Sequence, residues 1–232
     1  MSHARLRPLA KDLRITEQPL RFAGLEVGAR MTVMRLEGAR LLLHSPIACT
    51  PELRAEVESL GEPAFVVAPN LFHHLYVGEW QRAFPSAKVF LAAGLDGKRR
   101  DLAACLAMPA PGAAEWSAEV DHLPVEGFPL ANEVVFFHRP SATLVTCDLL
   151  FHIGASSPLP TRLAFRAMGA YGKPASTLLE RLFVKDRTAF RRSLEQLLAW
   201  PFERVVVAHG EVVEGGGRAA LADAYSWILA AR

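Results

Sequence analysis

Apolar positions along this chain fall into short runs separated by turn residues, and several runs have the β-branched and aromatic make-up of strands. The runs at 31–36 and 40–44 are joined by Glu37-Gly38-Ala39, where glycine supplies the positive φ of a tight connection, so they predict a β-hairpin. Thr50 before Pro51 predicts a helix N-terminus, running to about Leu60, because threonine caps and proline suits the first helical position. The apolar run 64–67 reads as a buried strand, and 77–84 as a short helix stopped by Pro85. A strand is expected at 88–91, a helix at 101–108 broken by Pro109-Ala110-Pro111-Gly112, and a short strand at 120–123. A second hairpin follows from 133–138 and 143–146 around the turn 139–142. Residues 149–174 mix glycine, serine and proline with apolar residues, which predicts a long loop with a helical stretch at 161–168, able to lie over a site as a lid. Phe190, Leu194, Leu197 and Leu198 repeat at helical spacing within 188–200, and Pro201 ends that helix. The run 204–208 is a buried strand, and Gly215-Gly216-Gly217 leads into a C-terminal helix over 218–231. Residues 1–24 show no clean period and read as an N-terminal arm with one strand at 20–22. Strands interleaved with helices define an α/β class, and the chain reads as one domain over 1–232.

Composition narrows the field. With 232 residues, 51% of them hydrophobic, the chain can bury a large core. A formal net charge of +2, with compact basic clusters only at 98–100 and 191–192, argues against nucleic acid as a partner. No window approaches the roughly 18 consecutive apolar residues of a membrane span, so no membrane partner is expected. Three cysteines (Cys49, Cys105, Cys147) without CxxC spacing, and an N-terminus lacking an apolar leader, fit a reducing cytoplasm.

Candidate chemistry sits at strand ends. The run 64–67 leads through Pro69-Asn70 to His73-His74, the run 143–146 leads to Asp148, and the run 204–208 leads to His209. A hydrolytic metal needs imidazoles and a carboxylate held on separate rigid elements with a position open for water, and three strand tips offering those groups predict one shared polar site. Taken singly, each has an ordinary reading as a cap, a turn or a polar strand end. His44, His138 and His152 also fall near strand ends and read as surface or hydrogen-bonded histidines, Cys147 as a buried thiol, and the triple glycine as a flexible connection.

The order and spacing of these motifs from about Met31 onward, with Thr146-Cys147-Asp148-Leu149-Leu150-Phe151 and Val205-Val206-Val207-Ala208-His209-Gly210, resembles the metallo-β-lactamase superfamily. Pro69-Asn70, the His73-His74 pair and Phe84-Pro85 resemble an uncharacterised domain-of-unknown-function branch of it. The resemblance implies an αββα sandwich: two mixed sheets with helices on the outer faces and a metal site at one edge. It makes Asp148 similar to the aspartate that bridges two metals and His209 similar to the last histidine ligand. Departures from the pattern are clear. The superfamily motif His-x-His-x-Asp-His meets Asn70, Phe72, His74 and Leu75 in one register and Pro69, Leu71, His73 and His74 in the other. The histidine usually found beside a Pro-Gly pair is missing near 124–128, and His122 lies upstream of its place.

What remains resembles one metal position, built from His73 or His74 with Asp148 and His209. The expectation is zinc or iron, at most one ion per chain or none, at His74, Asp148 and His209 with help from His73. His73 and Asp148 are the expected catalytic groups, His73 as proton carrier. Two functions stay open at this point: a metal-dependent hydrolase of a small ester, thioester or phosphoester, and a catalytically inactive binding or scaffold protein of the same fold. Substrate and oligomeric state are not specified by the sequence.

Overall fold

The computed structural model describes residues 5–102 and 104–230. Met1 to Ala4 of the expected arm, Ala103 of the helix expected over 101–108, and the C-terminal Ala231 and Arg232 lie outside the described residues.

The first half of the chain builds one large sheet. Its strands are β1 (Arg7–Ala10), β2 (Leu13–Gln18), β5 (Ala29–Arg35), β6 (Arg40–His44), β7 (Glu62–Ala68), β8 (Lys88–Leu91) and β9 (Leu106–Ala107), in that spatial order. Between β2 and β5 the chain makes a separate small hairpin, β3 (Arg21–Phe22) and β4 (Leu25–Glu26). Pairing is antiparallel from β1 to β6 and parallel from β6 to β9. The second sheet holds β10 (Val120–Pro124), β11 (Val134–His138), β12 (Thr143–Val145) and β13 (Arg204–Val206), the last pair parallel.

Alternation along the strands makes three apolar layers. Leu13, Ile15, Met34, Leu42, Phe65 and Val67 of the large sheet meet Val120, Phe136, Val145 and Val206 of the small one, with Trp116 packed in the same layer. The opposite face of the large sheet packs Val33, Leu43 and Val66 on α1 (Pro51–Leu60) and α2 (Val77–Ala83) through Leu53, Val57 and Trp80. Short α3 (Leu95–Lys98) closes that side, through buried Leu95. Val135, Phe137, Leu144 and Val205 on the outer face of the small sheet pack against α6 (Arg187–Ala199), α7 (Gly217–Ala224) and α8 (Ser226–Leu229). Two further helices, α4 (Leu159–Ala167) and α5 (Leu178–Phe183), lie in the segment between β12 and α6. Helix, sheet, sheet and helix therefore stack as the αββα sandwich that the resemblance implies.

Local signals account for most of this. Gly38, at φ 69°, turns β5 into β6, and the Thr50 hydroxyl accepts the Leu53 N–H at 3.2 Å to cap α1. Three expectations need correction. The N-terminal stretch is no irregular arm: β1 and β2 extend the large sheet and bury Leu13 and Ile15 fully, although β3 does begin near the single strand expected there. The helix expected over 101–108 gives way to a 3-10 turn, Arg100–Leu102, and to β9, which pairs Phe90 with Leu106 and Leu91 with Ala107. An unpaired parallel edge beside β8 outweighs the modest helix preference of leucine and alanine. The expected C-terminal helix is split into α7 and α8 at Tyr225, whose fully buried hydroxyl reaches Glu180 on α5 and the Leu149 carbonyl.

Candidate metal centre

The C-terminal ends of β7, β12 and β13 deliver their side chains to one point at the sandwich edge. After β7, the buried Asn70 shapes the loop: its Oδ1 accepts the N–H groups of Phe72 (2.9 Å) and His73 (2.8 Å), a turn that aims His73 inward. Asn70 Nδ2 donates to Asp148 Oδ2 at 2.7 Å and to Glu133 Oε2 at 3.1 Å, so one amide fixes the histidine loop and the carboxylate together.

Asp148 in turn is held from below by Glu133. That carboxylate accepts five hydrogen bonds: from Asn70 Nδ2, the Thr146 hydroxyl, and the N–H groups of Cys147, Asp148 and Leu149. Burial, then the Asp148 charge, raises its pKa, and the donors oppose that rise. With five donors on two oxygens, Glu133 has no acceptor site left for a proton of its own, and we take it as ionised at neutral pH.

His209 follows β13. Its Nδ1 lies 2.8 Å from the Gly28 carbonyl, which can only accept, so Nδ1 carries a hydrogen and the ring is held with Nε2 facing the cluster. The guanidinium of Arg30 bonds the carbonyls of Val207 and Gly210 on either side of that histidine, and Phe151 stacks on its ring. His73 has Ser45 Oγ at 2.8 Å from its Nδ1.

Donor atoms of three side chains then face one another. His73 Nε2 and His209 Nε2 are 3.2 Å apart, His73 Nε2 is 3.5 Å from Asp148 Oδ2, and His209 Nε2 is 3.4 Å from Asp148 Oδ1. Among the described residues these are the only three His, Cys, Asp or Glu side chains whose ligand atoms gather this way, all within 4.8 Å of one another. A tetrahedral zinc with ligands at about 2.0–2.1 Å requires donor separations of about 3.3–3.4 Å; the two imidazole nitrogens, 3.2 Å apart, are close to that spacing, and a carboxylate oxygen within 4.8 Å of both can complete it by side-chain adjustment.

Electrostatics in the metal-free cluster follow from the same contacts. Burial disfavours the charged His73 ring, but the Cys147 sulfur and the Asp148 carboxylate beside it outweigh burial and hold its pKa well above the ordinary value. At neutral pH Asp148 carries that effect, because burial pushes the Cys147 thiol up to about 11 and leaves it uncharged. Burial alone would raise Asp148, yet the imidazoles of His73 and His209 hold it well below the usual carboxylate range.

The remaining candidates fall elsewhere. His74 is not part of the cluster: Arg99 Nη1 lies 2.9 Å from its Nδ1, and burial, with Lys98 and Arg99 nearby, pushes its pKa down to about 4. His44 packs edge-on to Phe136, and burial lowers it to about 3. His122 sits between Trp116 Nε1 and the Pro109 carbonyl, His138 pairs with Ser141, and His152 faces the Glu211 carbonyl. The triple glycine leads into α7, where the N–H of Gly217 is taken by the Glu203 carbonyl. Glu133, Asn70, Ser45 and Arg30 are the supporting residues that the strand-tip reading did not single out.

Above the cluster opens a pocket of about 550 Å³ with a mostly apolar wall. Phe151, Phe165 and Met168 of the expected lid segment line it, joined by Leu179 and Glu180 of α5 and by Leu20, Phe22 and Leu25 around the β3–β4 hairpin. His73, Asp148 and His209 are part of its lining.

Residues 12–95 match a family model described as a domain of unknown function, DUF4336. No curated protein matches the chain. Solved structures match over nearly its whole length. A metallo-beta-lactamase from Pontibacter korlensis is 12% identical with a TM-score of 0.66, covering 97% of this chain and 99% of its own. A metallo beta lactamase from Hirschia baltica is 10% identical at TM-score 0.64, covering 98% of each chain. The Flv1 flavodiiron core from Synechocystis is 12% identical at TM-score 0.65, covering 98% of this chain and 61% of that one. The protein therefore has the metallo-β-lactamase fold, is similar to the DUF4336 model over residues 12–95, and carries a His73-Asp148-His209 cluster able to hold one metal ion where the strand ends meet.

Proposed function

We propose that the protein is a metal-dependent hydrolase with at most one ion per chain, acting on a small, largely apolar ester, thioester or phosphoester. One observation carries the reading: two imidazoles and a carboxylate, with donor separations of 3.2 to 3.5 Å, line a pocket large enough for such a substrate. His73, Asp148 and His209 would hold the ion. When bound, the ion supplies Lewis acidity, activating water at neutral pH and polarising the group under attack. Asn70 and the Gly28 carbonyl keep Asp148 and His209 oriented, while the apolar wall binds the substrate's carbon skeleton and excludes bulk water. In the metal-free state His73 Nε2 holds a proton against Asp148, and ion binding must release it.

A pH dependence follows. His73 has a raised folded pKa, so its pairing stabilises the metal-free fold fully below its ordinary value and that contribution is lost as pH rises through the folded value. Asp148 has a lowered one, so its contribution is present above its ordinary value and is lost as pH falls through the folded value. Ion affinity should therefore rise about tenfold per pH unit until the folded His73 value is passed, with about one proton released per ion. Calorimetric titration in buffers of different ionisation enthalpy checks this; affinity that is flat between pH 6 and 7 contradicts it.

The second reading, a binding protein without catalysis, draws on one feature: the three donors already satisfy one another as a charged cluster. Hydrolysis of p-nitrophenyl esters of increasing chain length, and of bis-p-nitrophenyl phosphate, separates the two. The hydrolase reading expects turnover that needs added metal and disappears in Asp148→Ala. Metal-loaded protein that turns over none of these favours the binding reading.

A further inference from the structure

Among the described residues ten large apolar side chains stand well exposed, and nine of them belong to one neighbourhood. Helix α5 presents Leu178, Leu179, Leu182 and Phe183 to solvent, two i, i+4 pairs on a six-residue helix, with Leu182 at 73% exposure. Helix α4 presents Leu159 and Leu163, again one turn apart. Phe22, Leu75 and Leu130 are exposed and line the pocket itself. Only Leu106, on the β9 edge, lies elsewhere.

These elements are joined. Thr161 of α4 donates to the Glu26 carbonyl of the β3–β4 hairpin at 2.8 Å, and the Leu178 N–H of α5 reaches the Met168 carbonyl just beyond α4 at 3.0 Å. Their inward sides are already satisfied, by Phe165 in a small core with Ile153, Ala170 and Ala175, and by Glu180 against Tyr225. The exposed leucines are therefore surplus to the fold. An apolar surface of this kind, gathered round a pocket mouth, marks a docking face.

Charge selects the occupant. Between Leu159 and Lys185 the chain carries Arg162, Arg166, Lys173, Arg181 and Lys185 against one carboxyl, the buried Glu180. That is a surplus of four positive charges in a chain whose whole surplus is two. A second copy of this chain would set those cations against their own kind. Leucines flanked by arginine and lysine instead suit a membrane interface, where apolar side chains enter the acyl boundary and cations meet anionic headgroups.

We infer that the face formed by α4, α5 and the pocket mouth docks peripherally on an anionic lipid surface, so that the pocket opens toward the acyl-chain region. No helix among the described residues is long and apolar enough to cross a membrane, so the contact is interfacial. It does not depend on whether the pocket hydrolyses what enters it, and it departs from the sequence expectation of no membrane partner.

The test is flotation of the full chain with vesicles of phosphatidylcholine alone and of phosphatidylcholine with phosphatidylglycerol at 7:3. Binding to the anionic vesicles should exceed binding to the neutral ones by about fivefold or more at 0.1 M salt, and fall at 0.5 M. Leu182→Glu should lower it by about tenfold or more, whereas Leu106→Glu, at the one exposed leucine outside the face, should leave it unchanged. Absence of binding, or equal and salt-insensitive binding to both vesicles, overturns the proposal. So does a solution dimer that Leu182→Glu converts to monomer without any vesicle binding, since that assigns the face to a second copy.

Discussion

Replacing Glu133 by alanine should abolish ion binding and lower the unfolding free energy by about 3–5 kcal/mol, the range seen when one member of a buried charged network is removed. The reason lies in the five donors that converge on its carboxylate. Three are consecutive backbone N–H groups, of Cys147, Asp148 and Leu149, in a segment with no sheet ladder to satisfy them. Each buried donor left without an acceptor costs about 1–3 kcal/mol, and the loop would reorganise to recover some of it. Asp148 would then leave the position that faces His73 and His209. Glu133→Gln keeps the shape and one acceptor oxygen but turns an NH2 toward backbone donors, so it should fall between the wild type and the alanine variant. Chemical denaturation together with metal analysis reads both effects; an alanine variant within about 1 kcal/mol of the wild type, binding metal normally, contradicts the account.

Asp148→Ala should lower ion affinity by at least about two orders of magnitude, since it removes the only anionic donor of the cluster. It should also release the His73 proton. Without the neighbouring carboxylate, burial becomes the dominant influence on that ring, so its pKa should drop from well above the ordinary histidine value to below it. The sign of that change distinguishes a lost charge partner from general unfolding. Imidazole NMR titration of the metal-free variant measures it, and a His73 value that stays raised would falsify the assignment of Asp148 as the controlling charge.

The layered architecture was legible because strand periodicity and turn chemistry are local. Gly38, the Thr50 cap, Pro85 and Pro201 each mark an element boundary where the chain turns or stops. Strand tips were legible for the same reason, so Asp148 and His209 could be named from position alone. The choice between His73 and His74 could not, because adjacent residues in a loop point in directions set by contacts distant in sequence. Ser45, 28 residues upstream, meets Nδ1 of His73, while Arg99, 25 residues beyond His74, engages the His74 ring. Glu133 was hidden for a related reason. As one acidic residue before an apolar strand it looks like an exposed strand start, and only the packing of the Asp148 loop on it reveals a buried acceptor. Residues 7–18 were underestimated because β1 is only four residues long and β2 offers Leu13 and Ile15 among polar and charged residues; their place in the sheet comes from β2 pairing with β5 and β1 pairing with β2.

The claim that one ion is held by His73, Asp148 and His209 is tested most directly by elemental analysis of the wild type beside His73→Ala and His74→Ala, each purified without added metal and then reconstituted with zinc. About one ion per chain is expected in the wild type and in His74→Ala, and essentially none in His73→Ala, because only His73 brings a ring nitrogen to the other two donors. Two ions per chain, or metal retained by His73→Ala and lost from His74→Ala, would contradict it.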